Sequence, residues 1–137
     1  LRFVVMVVVA LAMAGSVAPA QAEKCVDYEP TIVTLHGKVR MVSSYGPPGF
    51  GEDPVHDRRE EFALLDLDTQ TCLTAGRLDE VARFGVVSFQ LVPSPGARFT
   101  RRFLGTRVAV TGSLWTRESG EGVTNVLFVY SKVRPSP

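Results

Sequence analysis

The sequence predicts an all-β domain, a small closed barrel of five strands. Three observations carry this. Apolar residues recur with period two in most of the five strand segments, and helical spacing is confined to two short stretches. Two of the strands also carry a glycine on their apolar parity. Such a glycine marks a bulge, a sharp bend or a close backbone approach, and bent strands are what closure of a small barrel requires.

The first strand places Val33, Leu35, Gly37, Val39 and Met41 on one face, with Thr34, His36, Lys38 and Arg40 on the other. Phe62 to Leu67 is a nearly continuous apolar run, which predicts a strand buried on both faces. Asp68 is then expected to open a turn and cap it. The third strand alternates Val87, Phe89 and Leu91 with Ser88 and Gln90. The fourth alternates Val108, Val110, Gly112 and Leu114 with Arg107, Thr111 and Ser113, and Val126 to Val133 is the fifth.

Leu78, Val81 and Ala82 have helical spacing, with Asp79 and Glu80 in the first turn and Gly85 as a stop. Phe99 and Phe103 lie four apart after the Pro93–Gly96 turn, which predicts a short helix over 97–104. The tail from Arg134 to Pro137 is expected to fray. Three strands, a short helix and two strands is the order of the OB-fold barrel. An open antiparallel meander or sandwich with the same strands is the alternative.

The first twenty-two residues read as a secretory signal peptide. Arg2 precedes an apolar run from Phe3 to Ala14, and Ala20-Gln21-Ala22 is an A-x-A cleavage site. Gly15, Ser16 and Pro19 cut the run short of the roughly 20 apolar residues that a membrane span needs. Cleavage after Ala22 leaves one domain, residues 23–137, in the periplasm or outside the cell. The membrane then matters only during export. The chain holds 15 basic and 14 acidic residues, so losing Arg2 leaves the mature domain formally neutral. That argues against nucleic acid as a partner and points to an envelope ligand or protein.

Cys25 and Cys72 are the only cysteines. In an oxidising compartment they are expected to form one disulfide, worth roughly 4 kcal/mol for a loop of about 48 residues.

The chain resembles a family of small exported bacterial proteins known as a domain of unknown function. The resemblance runs through Cys25, Tyr28-Glu29-Pro30, Val33-Thr34-Leu35-His36-Gly37, the Gly46-Pro47-Pro48-Gly49-Phe50 turn and Phe62–Asp68 leading to Cys72. It continues with Gln90-Leu91-Val92, Leu104-Gly105, Val108–Leu114, and Thr124 with Val126. It implies export and an OB-like barrel and carries no activity. The family is His-rich between the fourth and fifth strands, where this chain has Arg117-Glu118-Ser119-Gly120-Glu121-Gly122.

On an OB barrel, ligands meet the loops after the first and fourth strands. The first, residues 43–60, carries Tyr45 and Phe50; the second, residues 115–125, carries Trp115 and Arg117, with Glu118 and Glu121. Tyr45, Phe50 and Trp115 are the candidate stacking platform for rings, with Arg117 beside them; packing of the loop on the barrel is the plainer role. Glu52, Asp53, His56 and Asp57 offer oxygen and imidazole ligands to a divalent ion, although solvated loop acids are the commoner case. Arg98, Arg101, Arg102 and Arg107 are a basic concentration suited to an anionic partner, or simply a solvated face. Nucleophile elbows, zinc-protease and phosphate-loop motifs are absent, so the expected role is non-enzymatic binding without a cofactor. A protein-interaction role, as an inhibitor, immunity or envelope assembly partner, is the second expectation.

Overall fold

Five strands close into one barrel in the order β1-β2-β3-β5-β4. They are β1 (Val33–Tyr45), β2 (Arg59–Leu73), β3 (Arg83–Pro93), β4 (Arg107–Thr116) and β5 (Val126–Pro135). This computed structural model describes residues 24–77, 79–118 and 122–137. The expected signal peptide, Leu78 and Glu121 lie outside the described residues. Every neighbouring pair is antiparallel except β3 and β5, which run parallel. The expected OB-like barrel is therefore present.

The strands are strongly tilted. Gly112 pairs with Val33 on one side and Tyr130 on the other. From Tyr130 the ladder runs to Pro93 and then, in the β2–β3 register, through Glu61 to Ser43. One circuit thus returns to β1 ten residues on, at Ser43 rather than Val33, a stagger that sets the tilt of a narrow barrel.

Both strand glycines do what their parity implies. A Cβ on Gly37 would overlap the Asp66 carbonyl oxygen, and one on Gly112 would overlap the Val129 carbonyl oxygen. At Gly37 and Lys38 the two ladders of β1 overlap, the one to β4 running back to Val33 and the one to β2 running on to Tyr45. At Gly112 the β4–β5 register slips by a residue. Val39, Leu65, Phe89, Val108, Val110, Leu114, Phe128 and Tyr130 fill the interior. Phe89 and Phe128 meet edge to face at 6.2 Å. The Tyr130 hydroxyl is buried, and no described residue partners it.

Several local expectations change. The short helix between β3 and β4 is only a 3-10 turn, Arg101–Phe103, with Phe103 buried and Phe99 partly so. No helix forms near Val81 and Ala82. The Gly76 N–H donates to the Glu80 carbonyl and the Arg77 N–H to the Glu80 carboxylate, which closes a turn instead. Asp68 caps nothing; it lies within β2 and pairs with Arg107. Val87 is exposed, because β2 bulges between Asp66 and Thr71 and the alternation of β3 breaks there. Leu64 and Leu65 are buried on opposite faces, as the apolar run implied. The tail is anchored, since Pro135 pairs with Val108 and the Ser136 N–H donates to the Arg107 carbonyl.

Cys25 and Cys72 form the disulfide, with Cα atoms 4.5 Å apart and 47 positions between them in sequence. Val26 continues the attachment, donating to the Cys72 carbonyl and accepting from the Thr74 N–H.

Candidate functional site

The first loop is shorter than the sequence suggests, because β1 runs to Tyr45 and β2 starts at Arg59. Asp57 organises it. Its buried carboxylate accepts the backbone N–H groups of Gly49 at 2.7 Å, Gly51 at 2.8 Å and Asp53 at 3.1 Å. Burial pushes this carboxyl up, but the three donors outweigh it and hold its pKa below the ordinary aspartate value. The loop wraps tightly enough that Phe50 takes φ +52°, a left-handed conformation uncommon outside glycine.

Of the metal candidates, Glu52 is exposed and the other three are otherwise engaged. His56 Nδ1 and Asp53 Oδ2 are 2.7 Å apart on the exposed surface. Asp57 directs both oxygens to backbone donors. Among the described residues, no three His, Cys, Asp or Glu side chains gather as a metal site.

Tyr45, Phe50 and Trp115 do not form one platform. The ladder from Trp115 crosses Leu127, Gln90 and Leu64 to reach Arg40. That path runs four strands around the wall, with Tyr45 further along β1; the other way round, Trp115 lies beyond the Gly112–Val33 pair at the start of β1, whereas Tyr45 ends that strand. Tyr45 packs locally instead. The Arg59 guanidinium sits 4.5 Å from its ring centroid and donates to its hydroxyl at 3.0 Å. Phe50 is half exposed on the first loop.

Trp115 sits on the outer face of β4, 44% exposed. Its parity makes it outward-facing, and its Nε1–H donates to Ser113 Oγ at 2.8 Å, which orients the indole. Beside it is a cavity of about 280 Å³ lined by Glu29, Arg77, Asp79, Glu80 and Glu118. Arg77 is 3.4 Å from Glu29, and Glu80 is buried. Arg117 faces its own loop, donating to the Gly122 carbonyl at 2.9 Å, so it braces the loop.

Beyond Trp115 and Glu118, the residues that carry this site were not singled out in the sequence as site residues. Glu29 and Arg77 come from segments before β1 and after β2, and only the closed barrel brings them to β4. Gln90 is the other. Its side-chain carbonyl accepts the Val123 N–H at 2.8 Å, and its backbone N–H donates to Thr124 Oγ1 at 3.0 Å. This pins the β4–β5 loop to β3. A glutamine amid apolar neighbours was the available signal.

The predicted basic cluster does not act as one unit. Arg101 reaches Glu61 at 3.4 Å, Arg107 bonds Asp68 at 2.6 Å, Arg102 lies over the ring of Phe103, and Arg98 is exposed.

No protein-family model, curated protein or solved structure matches the chain.

Proposed function

We propose that the chain is an exported, non-enzymatic binding domain of the bacterial cell envelope, with Trp115 and the β4–β5 loop as its ligand contact. The observation that carries this is an exposed, hydrogen-bonded indole at the rim of a carboxylate-lined cavity. An aromatic face with carboxylate acceptors beside it suits the apolar faces and hydroxyl groups of a sugar. The disulfide supports export, because such bonds persist in oxidising compartments. The resemblance to exported bacterial proteins points the same way. The engagement of Asp57 with the backbone, and the exposed setting of the Asp53–His56 pair, favour binding over catalysis.

A second reading, a protein contact, is favoured by the first loop. Phe50 and Val55 are exposed there, on a loop that Asp57 holds in one shape.

The test is a thermal-shift screen of neutral envelope oligosaccharides against the wild type, Trp115→Ala and Tyr45→Ala. A shift that Trp115→Ala abolishes and Tyr45→Ala keeps is expected. A shift untouched by Trp115→Ala, or none across the screen, overturns the reading.

A further inference from the structure

We propose that the outer face of β1, β4 and β5, at the end of β4 remote from Trp115, is a docking surface for an acidic polysaccharide. Register assembles this face from residues far apart in sequence. Lys38 lies beside Arg107, whose carbonyl accepts the Ser136 N–H. His36 lies beside Ala109, and Ala109 beside Arg134. Thr34 lies beside Thr111, and Thr111 beside Lys132. Side-chain bonds confirm that these rows share one face: Thr34 Oγ1 and Thr111 Oγ1 are 2.8 Å apart, and His36 Nδ1 and Ser136 Oγ are 3.0 Å apart.

The face is strongly polarised for a chain with so little net charge. Lys38, Arg107, Lys132 and Arg134 are all exposed. With strands about 4.8 Å apart and alternate residues about 7 Å apart along each strand, they fall within one small patch. Asp66 and Asp68 border it on β2, held by Arg40 and Arg107 respectively. Asp66 is also the cross-strand neighbour of Lys38; beyond these two, acidic residues gather in the first loop and around the Trp115 cavity.

The partner's chemistry follows from what accompanies the cations. Thr34, Thr111 and Ser136 interleave hydroxyls that can hydrogen-bond both carboxylates or sulfates and sugar hydroxyls. No Phe, Tyr or Trp stands in these rows to offer the large stacking platform that single-stranded nucleic acids use. Ala109 is their one apolar residue, so there is no wedge for insertion into a lipid surface. The face is also notched. Where the β1–β2 ladder ends at Gly37, a cavity of about 640 Å³ opens, floored by Val26, Leu35 and Leu67 and rimmed by Lys24, His36 and the Arg107–Asp68 pair. It offers a recess for one unit of a chain that lies across the cations. This site is independent of Trp115.

The test titrates the purified mature protein with polygalacturonate, dextran sulfate and neutral dextran at low and moderate salt. Binding to both acidic polymers and not to dextran is expected, weakening about tenfold or more as salt rises. Lys132→Glu with Arg134→Glu should weaken it at least about tenfold. Arg98→Glu with Arg102→Glu makes the same charge change off the face and should cost less than about threefold. Lys132→Gln with Arg134→Gln should give an intermediate loss, and Trp115→Ala should leave polyanion binding intact. Circular dichroism confirms that each variant folds. Equal losses in the two Glu pairs, failure to bind either acidic polymer, equal binding to dextran, or preference for anionic vesicles or poly(dT) would each overturn the proposal. A failure here with a Trp115-dependent shift retained leaves the proposed function standing.

Discussion

The side-chain carbonyl of Gln90 accepts the backbone N–H of Val123 at 2.8 Å, across 33 positions of sequence. It ties the β4–β5 loop to β3, and Gly122 packs so closely that a Cβ there would press on the Gln90 amide. The described part of the loop is thus held over the outer face of β3 by Gln90 and Thr124, with Arg117 bracing it at Gly122.

Gln90→Ala should therefore free the loop without dissolving the barrel. Leaving the Val123 N–H unpartnered costs about 1–2 kcal/mol, which urea denaturation will read. Amide exchange at Val123 and Thr124 should quicken more than exchange in β1 or β2. Uniform acceleration across all strands would show that Gln90 supports the whole barrel.

The first loop should respond to acid in a defined direction. The folded-state pKa of Asp57 is lowered, so its contribution is fully present above the unfolded value of about 3.9 and is lost as pH falls through the folded value. Asp57→Asn removes this dependence. We expect proteolysis of the 49–57 loop to rise below about pH 4 in the wild type and to be high at neutral pH in Asp57→Asn. If the loop is a protein contact, partner capture by the variant falls in step. Resistance of the variant to loop cleavage at neutral pH would show that other contacts hold the loop.

Gly37→Ala tests the close approach of β1 and β2. The added methyl meets a backbone carbonyl that cannot swing aside. Destabilisation beyond the usual 1–3 kcal/mol for overpacking is expected, whereas Gly96→Ala, with open space around it but φ +86°, should cost about 1 kcal/mol from conformation alone. Chemical denaturation of the two variants side by side measures the difference.

What the sequence made legible is local. Alternation marked most of the strands and a continuous apolar run marked β2, and Gly37 and Gly112 announced backbone approaches, because these signals are written in neighbouring residues. The bulge in β2 is not written there, and it put Val87 outside while Phe89 stayed in. The spacing of Val81 and Ala82 looked helical until the backbone and carboxylate of Glu80 closed a turn around it. The sites were less legible than the fold. Trp115 was visible as an outward aromatic, but Glu29 and Arg77 reach it only through barrel closure. Lys38, Arg107 and Arg134 lie far apart in sequence and become neighbours only through register. The contiguous arginines from 98 to 107 drew attention because they were close in sequence, yet they scatter among separate partners in space.

Lys24, Ser136 and Pro137 all border the 640 Å³ cavity; the disulfide ties the Lys24 segment to β2, and the Ser136 N–H bond to the Arg107 carbonyl holds the tail. Anything joined to the polypeptide at either place begins its path on the same rim. A purification tag or fusion partner placed there would shade the cavity and the cationic rows from one side. Probes are better introduced at the exposed Val55 of the first loop, and any appended peptide should be cut away before binding is measured.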